Sequence, residues 1–285
     1  MRARPAAGTI GQIAPAAVFY LVFFGIPLVI LFLLSFWIQD GFDRIPAFDL
    51  GSYAKGIGSR LDQAVLLRTV LVGFVTALIV VPVAYVLAYC MRFVFERRGR
   101  LILGLVLVSL FSGYLVRIYA WRTILGTEGL LNAFLLQLGL ISEPITALIF
   151  SPWAVMITLV GLLLPLAILP IWSSMANVGR DHLEVANDLG ATGLRLQRTV
   201  LLPMVLPGVG TAFALAFVLA AGDFVVPTMV GGAQGGTMVG NLIANEFRGS
   251  GADWPMGAAL AFLIMGLLVL VYLATTRILR LVTRW

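Results

Sequence analysis

Long runs without a charged residue constrain this chain more than any other feature of its sequence. Besides residues 224–245, six intervals without Asp, Glu, Lys or Arg are as long as a membrane-crossing helix, or nearly so. About 20 apolar residues in an α-helix cover the roughly 30 Å of hydrocarbon in a bilayer. The intervals predict an all-α integral membrane protein with six transmembrane helices. They lie between Arg4 and Asp40, Arg68 and Arg92, Arg100 and Arg117, Glu143 and Arg180, Arg198 and Asp223, and Asp253 and Arg277.

The predicted spans belong to a single transmembrane domain over residues 1–285. The third interval is only 16 residues long, so we expect its helix to continue through Arg117 to Trp121, with the arginine paired or reaching the interface. Residues 224–245 carry five glycines and Pro227 and are predicted to form a broken or re-entrant loop. Residues 129–142 are predicted to form a short surface helix. The spans are expected at about 12–38, 66–91, 101–121, 147–174, 201–222 and 256–277.

Composition excludes several classes of function. Only 11% of the residues are charged, against about 25% in soluble domains, so little polar sequence remains for a soluble catalytic module. The single cysteine, Cys90, allows no intramolecular disulfide, and the single histidine, His182, argues against a His/Cys metal centre. The single lysine, Lys55, follows Ala54 and forms no phosphate-binding loop. We therefore expect no metal site, no cofactor and no ATPase activity in this chain.

The distribution of arginines predicts the orientation. Both termini and the even-numbered loops carry 12 of the Lys/Arg residues, against 7 in the other connections, and the acids run the other way, 4 against 9. The positive-inside rule then places both termini in the cytoplasm. Arg2 and Arg4 precede an apolar run too long for a signal peptide, so we expect the first helix to be retained. The arginines are dispersed at helix ends, which argues against a nucleic-acid surface.

The longest polar connection on the predicted cytoplasmic side, residues 180–200, is predicted to form a short helix, a turn and a second short helix. Asp181 and Glu184 have the spacing of a capping box, Gly190 suits the left-handed residue that ends a helix, and Pro203 is expected to open the next span. An apolar stripe lies at helical spacing on Leu183, Ala186 and Leu189. By pattern alone, the segment fits either docking into a groove or an amphipathic helix on the membrane surface.

This loop resembles the E-A-A-x-x-x-G loop of ABC importer permeases, the membrane subunits of binding-protein-dependent systems. Val185 replaces the usual first alanine, but the Glu-to-Gly spacing of six is kept. The resemblance implies the type I importer fold and a coupling helix that enters a cleft of a separate ATP-binding subunit. It also implies a dimer of those subunits that binds ATP and Mg²⁺, a second related permease and an external binding protein. The residues implied in coupling are Glu184, Ala186, Asp188, Gly190 and Pro203.

Further segments resemble the PotB-like permeases of spermidine/putrescine importers. They are residues 114–126, 129–132, 222–232, 238–243 and 253–259, in the order and layout of that group. The resemblance implies a multi-pass protein of the bacterial inner membrane that takes part in polyamine import.

Carboxylates and aromatic rings on the predicted external side suit a diamine or triamine, because they can bind ammonium groups and stack against methylenes. Asp223 is costly to desolvate at the end of an apolar run, so it should pair, face a cavity or touch a cation. It could instead pair with Arg117 or Arg122, or cap the following turn. The aromatic residues could equally be interface anchors. The candidate path residues are Asp223, Tyr119, Trp121, Arg117, Glu246, Asp253 and Trp254.

Alternatives remain open at this stage. Arg117 and Arg122 would repel a polyamine and suit a carboxylated solute, such as an amino-acid derivative or opine. A secondary transporter would need no ATPase but would carry an ionisable relay at mid-span, whereas the acids here map near helix ends. An intramembrane enzyme would need a paired catalytic constellation, which the spans do not show. Gly231, Gly232, Gly235 and Gly236 predict a flexible external loop that docks on the binding protein.

Overall fold

The computed structural model of this protein describes residues 7–41, 43–232, 235–248 and 251–282. Two short strands, β1 (Ile38–Asp40) and β2 (Asp43–Ile45), pair antiparallel with Gln39 opposite Arg44. Helices form most of the rest. In chain order they are α1 (Ala7–Tyr20), α2 (Ile26–Leu34), α3 (Gly51–Gly58), α4 (Arg60–Tyr89), α5 (Glu96–Leu110), α6 (Tyr114–Leu125), α7 (Leu130–Gln137), α8 (Pro152–Ala176), α9 (Arg180–Asp188), α10 (Gly193–Leu196), α11 (Leu202–Gly222), α12 (Val239–Arg248) and α13 (Trp254–Val282).

The predicted all-α membrane fold is confirmed. Within the described residues, 5 helices are long and apolar enough to cross a bilayer, and a bent helix pair brings the number to 6 if it counts as one span. The small β-hairpin was not predicted, and the first span ends at Leu34 rather than at 38. The five helical spans are Ala14–Leu34, Arg60–Val94, Pro152–Ala176, Gly193–Gly222 and Trp254–Arg277.

The third span differs from the prediction. The expected continuous helix over 101–121 is wrong, because α5 ends at Leu110, α6 begins at Tyr114, and the two segments are bent by 97°. Gly113 lies between them with extended backbone, φ −54 and ψ 133. The 15 residues of α5 rise only about 22 Å, less than the hydrocarbon thickness. The chain therefore turns at Gly113 before it completes a straight crossing.

A π-helical turn precedes two of the prolines that lie within the long spans. Proline lacks an N–H and clashes with the carbonyl four residues earlier. The turn Leu21–Gly25 is followed by Pro27, and the turn Gln197–Leu201 is followed by Pro203. In the second turn, the Leu202 N–H bonds to the Gln197 carbonyl, five residues back. Pro203 lies in the first turn of α11, as predicted, and α11 continues from α10 and the π-helical turn as part of the helix Gly193–Gly222.

The chain divides into two compact units, and the larger contains Ala64–Asn241 together with the segment from Gly266 onward. Here α11 packs closely on α8 and α4. A Cβ on Gly208 would lie 2.3 Å from the Ser174 hydroxyl oxygen, and a Cβ on Gly73 would lie 2.9 Å from the Ala221 Cβ. The core joins α6, α8 and the segment after α11. Its buried members include Ile118, Leu125, Leu159, Leu162, Val226, Val230 and Met238.

The smaller unit contains the chain up to Gln63 and the segment Leu242–Met265. Aromatic contacts organise it: Phe32 meets Phe262 edge to face with ring centroids 5.1 Å apart, and Phe36 stacks on Phe48 at 4.8 Å. None of the apolar stretch of Ala14–Leu34 is buried in the chain, as expected of a lipid-facing span. Arg2 and Arg4 lie outside the described residues. The single-domain organisation and the cytoplasmic location of both termini stay predictions.

Candidate functional site

The segment from α9 to α10 forms the predicted helix, turn and helix. Gly179, with ψ 148, precedes the first helical residue and Asp181 lies inside the first turn, so the predicted capping role of Asp181 is wrong. The predicted end of the helix agrees with the structure. Gly190 has φ +82, its N–H bonds to the Asn187 carbonyl at 2.9 Å, and the Ala191 N–H bonds to the Ala186 carbonyl at 2.9 Å. This is the Schellman arrangement, in which glycine carries the left-handed conformation.

The α9–α10 segment presents an apolar surface that no described residue covers. Ala186 faces the protein and is buried, whereas Val185, Leu189 and Leu194 are 58%, 82% and 64% exposed. The predicted apolar stripe therefore does not lie on one surface, because Ala186 is buried, Leu183 is half-buried and Leu189 is exposed. Glu184 and Asp188 are exposed beside these apolar side chains. An apolar surface rimmed by charges is typical of an interaction site.

This segment is anchored rigidly to the span that follows it. Leu196 and Leu201 are buried, and the Tyr85 hydroxyl of α4 donates to the Gln197 Oε1 at 2.7 Å. The continuous helix Gly193–Gly222 has 30 residues and a rise of about 45 Å. One continuous helix therefore leads from α10 to the opposite end of the span.

At that opposite end lies a cavity of about 610 Å³ between α5, α6, α8 and α11. Its walls are mostly apolar, but Tyr114, Arg117 and Asp223 also line it. The apolar lining includes Leu110, Leu162, Leu163, Leu166, Val218 and Leu219. The cavity thus brings together Arg117 and Asp223, two of the residues that the sequence identified as path candidates.

Asp223 adopts the capping role that the sequence allowed. It ends α11 in extended backbone, and its Oδ1 accepts hydrogen bonds from the Val225 and Val226 N–H groups at 2.8 and 3.0 Å. The Tyr114 hydroxyl donates to the other oxygen, Oδ2. Arg117 reaches the Leu162 carbonyl through Nη1 at 3.4 Å, and its buried Nε has no partner among the described residues.

The predicted broken loop after α11 returns into the larger unit and is held by polar side chains. Asn241 donates to the Thr228 hydroxyl at 2.6 Å and to the Phe224 carbonyl at 3.1 Å, and the Val239 N–H donates to the Thr69 hydroxyl at 2.9 Å. Its glycines allow close backbone approach, because a Cβ on Gly236 would lie 2.1 Å from the Gly231 oxygen. The sequence interpretation of a loose loop missed this packing.

Tyr119 and Trp121 do not line the cavity that contains Asp223. Tyr119 lines a shallower cavity of about 410 Å³ with Arg122, whose guanidinium carbon lies 6.0 Å from the Phe150 ring. The Trp121 ring packs against Gly161, where an added Cβ would lie 2.2 Å from the ring. Trp121 therefore packs against the core of the larger unit.

The remaining candidates belong to the smaller unit. The Arg44 guanidinium carbon lies 3.6 Å from the Trp254 ring centroid, so this cation covers one face of the ring. Asp253 accepts from the Met256 N–H at 2.9 Å and caps the start of α13, and its own N–H contacts the Glu246 carboxylate at 3.4 Å. Burial raises the pKa of the Glu246 carboxyl above its ordinary value, and the negative charges of Asp253 and Asp62 act in the same direction.

Among the described residues, no group of three or more His, Cys, Asp or Glu side chains could hold a metal ion.

The family model for "Binding-protein-dependent transport system inner membrane component" matches residues 50–284. This chain belongs to that family. It is an inner-membrane permease of a binding-protein-dependent transport system, as the resemblance of residues 184–190 implied.

Relatives with known names support a finer placement in the family. The chain is 34% identical over 275 residues to the spermidine/putrescine transport system permease protein PotB of Haemophilus influenzae, covering 94% of each protein. It is 34% identical over 235 residues to PotB of Escherichia coli, covering 81% of this chain and 84% of that protein. Among solved structures, a bacterial alginate ABC transporter in complex with its alginate-bound periplasmic protein has a chain of TM-score 0.76 at 14% identity, covering 97% and 95% of the two chains.

Several residues that shape this permease were not singled out from the sequence as site residues. Tyr114 is one of them, although its position directly after Ser112 and Gly113 is a signal for a residue at a helix start. Buried Asn132 donates to the Gly126, Thr127 and Ile145 carbonyls and accepts from the Ile145 N–H. Local sequence carries no signal for these contacts, because they depend on the path of the chain after Gly126.

Proposed function

We propose that this chain is one of two related membrane subunits of an ATP-driven importer for small organic amines, with spermidine and putrescine as the leading substrates. The observation that carries the proposal is the 34% identity over 94% of both chains to a permease named for spermidine/putrescine transport. The proposed partners are a dimer of ATP-binding subunits, a second homologous permease and an extracytoplasmic binding protein. ATP and Mg²⁺ would be bound by the partner subunits, and this chain would have no catalytic role.

The α9–α10 segment is the proposed coupling site. Val185, Leu189 and Leu194 offer apolar surface to a cleft in the ATP-binding subunit, and exposed Glu184 and Asp188 border it. Buried Ala186 lets α9 lie close to the membrane domain. Gly190 fixes the turn after α9. Pro203, after its π-helical turn, connects this site to the continuous helix that leads to the cavity.

The substrate path is proposed to pass the cavity that contains Asp223. An importer needs weak contacts on a path that opens alternately to each side, often where helices break. The cavity lies at two such breaks, the one before Tyr114 and the one after Gly222. Tyr119, Trp121, Glu246, Asp253 and Trp254 remain weaker candidates for substrate contact. Of these, Trp254 already has one ring face covered by Arg44, and Asp253 is engaged as a helix cap.

A second candidate substrate class is an amine that also carries an acidic group, such as an amino-acid derivative or opine. The observation that favours it is Arg117, which lines the same cavity as Asp223 and has a buried Nε without a partner among the described residues. A guanidinium and a carboxylate in one cavity can bind the two ends of a zwitterion, whereas the guanidinium repels a polycation.

Transport by the reconstituted complex tests the proposal. The chain, its second permease, the ATP-binding subunits and the binding protein are placed in proteoliposomes, and uptake of radiolabelled putrescine and spermidine is measured with and without ATP. ATP-dependent uptake supports polyamine import. If the ATPase activity is stimulated only by a binding protein loaded with an unrelated solute, polyamines are not the substrate. Uptake in the absence of any ATP-binding subunit would favour a secondary transporter. Glu184→Lys should uncouple ATP hydrolysis from uptake while leaving the protein inserted.

A further inference from the structure

One hydrogen bond joins the break in the third span to the end of α11. The Tyr114 hydroxyl at the first residue of α6 donates to Oδ2 of Asp223, the residue that follows α11. Both side chains line the 610 Å³ cavity. The two residues are 109 positions apart, so this contact couples segments that the chain does not connect locally.

We propose that the Tyr114–Asp223 pair is a substrate-responsive latch, in which an ammonium group of the substrate displaces the tyrosine hydroxyl from the Asp223 carboxylate. This inference rests on the proposed import of organic amines. It assigns a primary ammonium group of the substrate to Oδ2 of Asp223. Tyr114 then occupies that oxygen only while no substrate is bound.

The carboxylate is prepared for such an exchange. Its Oδ1 is fixed by the Val225 and Val226 N–H groups, which holds the other oxygen towards Tyr114. An ammonium group is a stronger partner for the carboxylate than a neutral hydroxyl, because it adds the Coulomb attraction of a full positive charge to a hydrogen bond whose acceptor is ionised in both cases. The exchange therefore favours the cation once it arrives, and the hydroxyl keeps the carboxylate satisfied while the cavity holds no substrate.

Arg117 limits how tightly the cation can bind. It lines the same cavity, and its Nη1 is directed to the Leu162 carbonyl at 3.4 Å. A positive charge near the bound ammonium group reduces its affinity, and it prevents the second ammonium group of a diamine from lying on that side. The leucines and valine of the cavity wall suit the methylene chain. A single ammonium contact with Asp223, weakened by the positive charge of Arg117, gives the weak binding that a solute needs if it is to be released on the other side of the membrane.

The latch is placed where its state can affect the coupling site. Asp223 follows directly after the continuous helix Gly193–Gly222, whose other end carries the α9–α10 segment. While the latch is closed, the start of α6 is tied to the end of this helix. When an ammonium group takes the place of the hydroxyl, the tie is lost and α6 is free to move relative to α11.

Two conservative variants and one control separate this role from simple stability. Asp223→Asn removes the charge but keeps an oxygen that can cap Val225 and Val226. Tyr114→Phe removes the latch but keeps the ring. Tyr20→Phe is the matched control, because Tyr20 is exposed on the first span and lines neither cavity. Each is assembled with the second permease, the ATP-binding subunits and the binding protein, and insertion and assembly are checked by size-exclusion chromatography.

Asp223→Asn is expected to lower putrescine uptake at saturating loaded binding protein about tenfold, the cost of one charge-assisted contact, with no change in the apparent affinity for the loaded binding protein. Tyr114→Phe is expected to raise ATPase activity measured without substrate, while putrescine uptake continues. Tyr20→Phe should behave as the unmodified complex in both assays.

Normal uptake by Asp223→Asn would overturn the ammonium contact. Equal loss of uptake in Tyr114→Phe and Asp223→Asn, with no rise in basal ATPase activity, would reduce the pair to a structural bond and overturn the latch. An unmodified complex that moves neither putrescine nor spermidine would refute the proposed function and the ammonium contact together. If the unmodified complex transports putrescine and both variants match it in uptake and in basal ATPase activity, the latch alone would be refuted.

Discussion

Substitutions at Gly190 should weaken the coupling site in a graded order that its backbone conformation sets. Gly190 has φ +82, and an added Cβ would meet no atom within 4 Å, so the cost of a side chain is backbone strain alone. The left-handed conformation costs an L-residue about 1–2 kcal/mol, and part of this is offset because alanine restricts the unfolded chain. The net cost of Gly190→Ala is then about 1 kcal/mol, roughly a fivefold change in the equilibrium between the formed and the unformed turn after α9.

The order of effects follows from residue type. Gly190→Asn should cost only a few tenths of a kcal/mol, because asparagine tolerates this conformation. Gly190→Val should cost more free energy than Gly190→Ala, since a β-branched residue adopts the left-handed conformation least readily. Gly190→Pro also removes the N–H that bonds to the Asn187 carbonyl at 2.9 Å and should cost about 3 kcal/mol or more.

The assay is titration of the ATP-binding subunit onto the membrane subunits, with ATPase stimulation by the loaded binding protein as the second readout. Gly190→Ala should raise the concentration for half-maximal association about fivefold, and Gly190→Pro should abolish stimulation. Gly266→Ala in α13 is the matched control, because that glycine also has open space around it but no positive φ. Unchanged association in the Ala, Val and Pro variants, or an equal loss in Gly266→Ala, would refute the reasoning.

Three further predictions concern packing, polar satisfaction and pH. Gly161→Ala should destabilise the protein by about 1–3 kcal/mol in thermal unfolding in detergent, because its Cβ would lie 2.2 Å from the Trp121 ring; an unchanged midpoint would show that the ring has room to shift. Asn132→Ala should cost about 2–3 kcal/mol, since it leaves buried carbonyls without donors, and proteolysis within residues 126–150 should accelerate; equal cleavage in both proteins would contradict this. Burial raises the pKa of Glu246 above 4.5, so its protonated form favours the folded state, and the stability it contributes is present below pH 4.5 and lost as pH rises through the raised pKa. Glu246→Gln should remove that part of the pH dependence, and superimposable stability profiles of the two proteins would contradict the assignment.

Local patterns were sufficient for much of the fold and for the proposed coupling segment. Charge-free intervals located the spans because the bilayer imposes one requirement on every crossing helix, and Gly190 was identifiable because few residues tolerate a positive φ. The failures were also local in origin. Asp181 is the predicted cap of α9, but the cap is Gly179 and the helix begins at Arg180, two residues earlier than that prediction requires.

The parts that could not be predicted depend on contacts distant in sequence. The third span was expected to pass straight through Arg117, since its apolar residues continue, but Gly113 takes an extended conformation and the chain bends by 97°. The pairing of Tyr114 with Asp223 follows from that bend, and nothing in their spacing of 109 residues specifies it. Arg117 and Tyr119 are two residues apart on α6, so they lie on different faces of that helix and line different cavities.

The most direct test of the central claim, that this permease works through a separate ATP-binding subunit docked on the α9–α10 segment, is its set of native partners. The tagged chain is purified from its host in mild detergent and the co-purifying proteins are identified by mass spectrometry. The account predicts an ATP-binding subunit, a second six-helix permease and a binding protein, with the ATP-binding subunit lost when Gly190→Pro is used as bait. Recovery of the chain alone, or as a homo-oligomer without a nucleotide-binding partner, would contradict it.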